Sequence, residues 1–339
     1  MTNGKTLTPQ DIEQILSHYD VGQITNVCLP GGGTANLNTI VETDAGRFFL
    51  RRRNPKYCTD DQLLFDHDLM QHLARKAIPG PQPCRAKDGK TWLRIEEDTF
   101  ELHRHIEGTV HDRNNREQIR SAARELALFH LAVLDFETEA SKAWPRYDSP
   151  LLIRGGLAKL QKGLSPEHKD DLQFVKRQAH ILTTHLPDKR YDALPKYVIH
   201  GDYHPANMLF RGDAVAGIFD LDWASRQPRV RDLADGVIFY AAERATDVDG
   251  ADIVSLTHAV TYNRERIHLF LGTYHETLHI KEEEMAVLPQ FLRARWLHCR
   301  AAGMSKLPVE QRESYFFQDL RGPIGWIEEH EEELSTVPS

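Results

Sequence analysis

The stretch from Tyr197 to Phe210 (YVIHGDYHPANMLF) holds the residues of this chain best suited to chemistry. One apolar run enters a polar loop and another leaves it, so the loop is expected at the ends of buried strands. Asp202 offers a carboxylate that can orient a hydroxyl and accept its proton, with His200 two residues before it. Asn207, five residues on, offers a neutral amide oxygen for a cation. Phosphoryl transfer to a hydroxyl needs both, a group to position the acceptor and oxygen ligands for magnesium. A second ligand should come from a neighbouring strand. Residues 207–210 and 215–219 read as a hairpin around Arg211, Gly212 and Asp213, and the return strand ends at Asp220, Leu221 and Asp222. Asp220 would thereby come back beside Asn207. Carboxylate and amide oxygens are hard ligands of the kind magnesium takes.

These residues need a scaffold, and the chain reads in two parts. Thr8, Pro9 and Asp11 form a helix-start signal followed by Ile12, Ile15, Leu16 and Tyr19 at helical spacing. Strands are predicted over 23–29, 37–43 and 47–53, a helix over 60–76, and short strands over 91–95 and 100–105. Gly31, Gly32 and Gly33 lie between the first two strands, where glycine lets backbone approach a phosphate closely, although a plain hairpin turn has the same composition. From about Asp112 helices dominate: 114–134, then a helix from Ser165 to about Leu186, with strands returning between Pro195 and Asp222. The boundary is placed near Ile106, giving an N-terminal nucleotide-binding part over 1–105 and a catalytic and acceptor-binding part over 106–339.

Composition narrows the partners. Hydrophobic residues make up 40% and charged residues 27% of 339 residues, and the net charge is -8. That is the balance of a globular protein, without the basic surplus of a nucleic-acid binder. Cys28, Cys58, Cys84 and Cys299 are scattered, with no C-x-x-C pair, so free thiols in a reducing cytoplasm are expected. No apolar run approaches a bilayer's thickness, and the first ten residues lack the apolar stretch of a signal peptide. No membrane partner is expected, and oligomeric state is left open.

The H-G-D-x-H-x-x-N pattern from His200 to Asn207, with the I-x-D-x-D-like strand end at Asp220 and Asp222, resembles the aminoglycoside phosphotransferase and choline kinase family, whose relatives include homoserine kinases. The resemblance covers most of the chain. It implies an α+β, bilobal protein-kinase-like fold, with a strand-rich N-lobe, a mainly helical C-lobe, and ATP in the cleft between them; GTP is the alternative nucleotide. It implies Asp202 as catalytic base, Asn207 and Asp220 as Mg2+ ligands, and Asp222 as a further metal or supporting group. His200 would organise the loop, and Asp232 would brace it from below. Arg51 occupies the position of the usual phosphate-binding lysine, and Asp66 that of its glutamate partner, the longer arginine compensating for the shorter acid. Backbone groups near Arg104 and Ile106 would meet the adenine edge. The acceptor would be a small-molecule hydroxyl: a hydroxy amino acid such as homoserine, an amino alcohol, an amino sugar or a choline-like alcohol. Asp222, Trp223, Tyr240, Glu243 and Tyr262 are candidate lining residues.

Other readings compete. His200, Asp202 and His204 alternate in the manner of a hydrolase metal cluster, but Asn207 and Asp220 would then have no purpose. Arg51 and Asp66 in place of lysine and glutamate would fit a nucleotide-binding pseudokinase. A protein Ser/Thr kinase would need an Ala-Pro-Glu segment after Asp220, and none follows. His130, on an apolar helical face, reads as core, and Arg226, Arg229 and Arg231 read as surface or ion-pair residues.

Overall fold

The computed structural model describes residues 7–28, 37–146, 150–249 and 252–338. The glycine segment Gly31, Gly32 and Gly33 lies outside them. Helix α1 (Pro9–Leu16) starts at the Thr8 cap, whose side chain accepts from the Asp11 N–H while Asp11 reaches back to the Thr8 backbone. Strands β1 (Ile24–Cys28), β2 (Leu37–Thr43) and β3 (Gly46–Arg52) follow, then α2 (Asp60–Arg75), β4 (Leu93–Ile95) and β5 (Asp98–Arg104). They form an antiparallel sheet in the order β1-β2-β3-β5-β4.

Strand alternation gives this sheet two unlike faces. Phe48 and Leu50 on β3 and Phe100 and Leu102 on β5 point one way and pack with Ile12, Ile15 and Leu16 of α1. Arg51 and Glu101, directly paired across the strands, point the other way with His103 and with Arg53 just past β3. That second face is charged yet buried: Arg53, Glu101 and His103 are each no more than 4% exposed. It turns toward α2 and the C-lobe.

The C-lobe begins with α3 (Arg116–Ala132), capped by Asn115, and continues through α4 (Pro150–Leu160), α5 (Lys169–His185) and α6 (Asp188–Ala193). Four short strands then frame the polar loop: β6 (Lys196–Ile199), β7 (Met208–Arg211), β8 (Ala214–Ile218) and β9 (Ser225–Pro228). β7 and β8 form the expected hairpin, while β6 pairs with β9. Helix α7 (Val230–Gly236) runs into a wide π turn over Val237–Ala241, followed by β10 (Ala242–Arg244), β11 (Val260–Tyr262) and α8 (Arg264–Thr277). After α9 (Glu282–Met285), α10 (Leu288–Gly303) is buried on nearly every side, and α11 (Arg312–Phe317), α12 (Arg321–Glu329) and α13 (Glu331–Leu334) close the lobe around it. Among the described residues, no helix is long and apolar enough to cross a membrane.

Candidate active site

The loop between β6 and β7 carries Asp202 and is held from beneath. Gly201 sits at φ +80°, and a Cβ there would come within 2.5 Å of the Trp223 carbonyl oxygen, so only glycine fits the turn. Asp232 on α7 accepts the backbone N–H groups of His200 at 2.7 Å and Gly201 at 2.8 Å. His130 meets the same Asp232 carboxylate at 3.1 Å and the Tyr274 hydroxyl at 2.7 Å through its other nitrogen. The core histidine of α3 is thus also the buttress of the brace. His200 donates from Nε2 to the Phe219 carbonyl at 2.9 Å and accepts the Asp202 N–H at Nδ1. Burial lowers its pKa, so it stays neutral and organises the loop.

Two side chains grip the Asp202 carboxylate. His204 Nε2 is 3.2 Å from one oxygen, and Arg295 Nη2, from α10, is 3.1 Å from the other. Burial alone would raise this carboxyl; His204 and Arg295 outweigh it and hold the group well below the usual carboxylate range. Arg295 Nε also lies 2.8 Å from Asp235 of α7, so the guanidinium bridges two carboxylates. Asp235 itself is pushed up to about 7 by burial, against the pull of Arg295.

Asn207 donates its amide N–H to the Asp202 carbonyl at 3.0 Å, which leaves its Oδ1 for another partner. Its own carbonyl accepts the Phe219 N–H at 2.9 Å, so the β7–β8 hairpin brings Asp220 alongside. Asp220 adopts φ +62°, a left-handed conformation that costs a non-glycine residue about 1 kcal/mol. Its pKa rises to about 6 through burial and the adjacent Asp222, with Arg51 opposing. Oxygen donors from Asn207 and Asp220, adjacent and partly open to the cleft, are a set that fits Mg2+.

The arginine pairing differs from the expected one. Arg51 does not meet Asp66; it contacts Asp220 at 3.0 Å and Asp222 at 2.8 Å. The partner of Asp66 is Arg53, at 2.7 Å, and the same guanidinium reaches Glu101 and Asp222, each at 2.8 Å. Arg53 lies two residues further along the same face, deep against α2, and takes the place an Arg51–Asp66 pair would fill. Lys142 adds a second cation to Asp66 and donates to the Leu221 carbonyl at 3.0 Å. Asp222, expected among the metal ligands, has both oxygens held by arginines and is 4% exposed, which suits a group that orients Arg51 and Arg53 better than one that binds a metal directly. Beside it, Tyr57, Trp144 and Trp223 pack together across the lobes, with Trp144 and Trp223 centroids 4.9 Å apart.

At the strand end expected to meet adenine, the Arg104 N–H bonds to the Gln82 carbonyl, and Ile106 packs near Gly217 of β8. Arg229 is engaged by Glu284, and Arg231 donates to the Gly201 carbonyl at 2.6 Å, so both are internal supports, whereas Arg226 is exposed. The metal-cluster reading fails on geometry: His200 and His204 point to different partners, and no group of three or more His, Cys, Asp or Glu side chains among the described residues forms a metal site.

A cavity of about 330 Å³ opens beside the loop, lined by Pro205, Ala206, Phe239 and Tyr240 among others. The π turn splays Phe239 and Tyr240 into it, a common use of such wide turns. Of the other expected lining residues, Tyr262 is buried against the Trp296 indole, Glu243 is exposed and bonded to Asn263, and Trp223 belongs to the aromatic trio.

Known proteins resemble this chain in sequence and in fold. The profile of the phosphotransferase enzyme family matches residues 26–270. A homoserine kinase of Parvibaculum lavamentivorans is 30% identical over 231 residues, covering 66% of this chain and 67% of that protein. A homoserine kinase of Nitrobacter winogradskyi is 28% identical over 306 residues, covering 88% of this chain and 86% of that protein. Among solved structures, the amicoumacin kinase hAmiN, in complex with AMP-PNP, Ca2+ and Ami, superposes with a TM-score of 0.66 at 14% identity, covering 98% of this chain and 95% of its own. A microcompartment-associated aminopropanol kinase does so with a TM-score of 0.65 at 15% identity, over 96% and 98% of the two chains. The loop, the hairpin and these likenesses together make the chain a member of the phosphotransferase enzyme family, a small-molecule kinase on a bilobal protein-kinase-like fold.

Proposed function

We propose that this kinase transfers the terminal phosphate of ATP to the side-chain hydroxyl of a small hydroxy amino acid, homoserine being the first to test. The observation that carries the reading is the ionised Asp202 carboxylate, fixed beside the adjacent oxygens of Asn207 and Asp220. Homoserine kinases among its relatives, aligned along most of the chain, favour the amino-acid acceptor over amino sugars and choline.

In this reading Asn207 and Asp220 would hold Mg2+, which would neutralise charge on the nucleotide phosphates. Arg51 turns from Asp220 to the nucleotide phosphates, a role guanidinium performs well, and Asp222 and Arg53 keep it aimed into the cleft. Asp202 accepts the acceptor's hydroxyl proton as that oxygen bonds to the terminal phosphorus and the bond to the leaving diphosphate breaks. His200 and Asp232 act only by holding the loop. A carboxylate with so low a pKa is a weak base, so its contribution is chiefly to orient the hydroxyl in line. The proton moves late, consistent with a loose transition state.

The test is a coupled nucleotide-consumption screen across L-homoserine, other hydroxy amino acids, amino alcohols, amino sugars and choline, with Asp202→Ala protein as the blank. The reading expects turnover highest on a hydroxy amino acid; a panel in which an amino sugar or choline dominates would overturn it.

A further inference from the structure

The cavity beside Pro205 and Ala206 contains a cation without a counter-charge. Arg244, the last residue of β10, lines it. Its Nη2 donates to the Ile238 carbonyl at 3.2 Å, but Nε and Nη1 are closed to solvent and have no hydrogen-bond partner. Among the described residues, no carboxylate pairs with it either. Burial dominates and lowers its pKa to about 10, and the groups that oppose that shift are Tyr262 and Cys299, while Arg295 and Arg300 add like charge. A desolvated guanidinium with two idle N–H groups is costly, and buried charges are ordinarily paired. An anion entering the cavity would relieve that cost.

Position says which anion. The Arg244 guanidinium stacks on Phe239, 4.8 Å from the ring centroid, and the other side of the contact chain is the His204 ring, 5.4 Å from the same centroid. His204 in turn holds Asp202. Two rings, Phe239 and His204, therefore link this cation to the carboxylate that meets the acceptor hydroxyl. A four-carbon hydroxy amino acid spans about 5 Å between its hydroxyl and carboxylate, and a hydrogen bond at each end adds about 3 Å, so an acceptor held at both ends would join groups about 11 Å apart. Asp247 and Asp249 line the same cavity with Arg113 and Arg266, Asp247 lying 3.6 Å from Arg113, so it presents both signs of charge, as a zwitterion requires.

We propose that Arg244 recognises the carboxylate of the acceptor and makes this kinase selective for hydroxy acids over the corresponding amino alcohols. The inference rests on the amino-acid reading above and assigns that selectivity to one side chain. Turning the guanidinium toward the cavity would give up its 3.2 Å contact with the Ile238 carbonyl in exchange for the acceptor carboxylate.

The experiment compares L-homoserine with 3-aminopropan-1-ol, the same molecule without its carboxylate, in the wild type, Arg244→Gln and Arg244→Lys. Losing a charge-assisted hydrogen bond is expected to cut the homoserine to aminopropanol ratio of kcat/KM by about 10- to 100-fold in Arg244→Gln, through KM for homoserine. Arg244→Lys should restore part of it. Nucleotide binding and thermal melting of each variant report folding independently of the acceptor. If the wild type prefers homoserine and Arg244→Gln keeps that preference, the Arg244 assignment fails while the amino-acid reading stands. A wild type that uses aminopropanol as well as homoserine removes both. Equal loss on the two acceptors in both variants makes the residue structural, which also overturns the assignment.

Discussion

Arg53 is the ion on which the junction of the lobes turns, and replacing it should show this. Its side chain is 1% exposed and faces Asp66, Glu101 and Asp222 at 2.7, 2.8 and 2.8 Å. Arg53→Met keeps most of the volume but leaves three buried carboxylates short of one cation. Arg51 and Lys142 compensate Asp222 and Asp66 in part; Glu101, held well below the usual range by Arg53 first and then by His103 and His67 despite its burial, keeps those two imidazoles and the charge of Arg51 across the strand. Breaking a buried ion pair by removing one partner costs about 3–5 kcal/mol, which for a chain of this size corresponds to a fall in Tm on the order of 10 °C. The sign of the pH dependence follows. A carboxyl whose pKa is depressed by folding adds stability that is present above its unfolded value and lost as pH falls through its folded value. Without Arg53 the Glu101 pKa rises, so the variant should lose less stability than the wild type on acidification from about pH 7 to pH 5. Differential scanning calorimetry at those pH values is the assay. Adding Glu101→Gln should recover part of the loss. A variant melting within about 2 °C of the wild type, where a smaller ionic contribution would put it, would refute the account of this network.

Other substitutions separate the remaining parts. Arg51→Met should raise KM for ATP by about tenfold or more with a modest change in KM for acceptor, since a guanidinium to phosphate contact is lost, and isothermal titration with a non-hydrolysable nucleotide reads this directly. Arg295→Gln should lower kcat about 10- to 100-fold, and it should shift the pH profile. Wild-type Asp202 stays ionised down to at least about pH 4, whereas without Arg295 burial raises its pKa and the acid limb of kcat/KM should move upward; an unmoved limb would mean that Arg295 does not govern the carboxylate. Gly201→Ala places a methyl against the Trp223 carbonyl at a backbone conformation alanine resists, so kcat should drop steeply, and an active, stable alanine variant would contradict the described loop.

Much of the site was legible because its chemistry is local in sequence. Asp202 and Asn207 share one loop, and the hairpin to Asp220 can be read from two apolar runs around a glycine turn. The fold class came from the family resemblance that this segment carries, and the change from strand to helix patterning near residue 106 placed the boundary between the lobes. What was not legible depends on long-range packing. Arg51 and Arg53 alternate on one strand face, yet only the depth of the sheet against α2 decides which of them meets Asp66. Lys142 and Arg295 carry no local signal: they reach Asp66 and Asp202 from segments 76 and 93 residues away. Of the five expected lining residues, only Tyr240 lines the cavity. Tyr262 does not: β11 places it in the core, where its hydroxyl accepts the Trp296 indole N–H at 2.8 Å.

The central claim is that Asp202 directs phosphoryl transfer to a small hydroxyl acceptor. Phosphorus NMR of a reaction containing ATP, Mg2+ and L-homoserine, run with wild type and with Asp202→Ala, tests it most directly when nucleotide binding is measured on the same samples. The account predicts a phosphomonoester signal with the wild type and none above background with the variant, while both bind nucleotide with affinities within a few-fold. A variant that makes the phosphomonoester at the wild-type rate would contradict it.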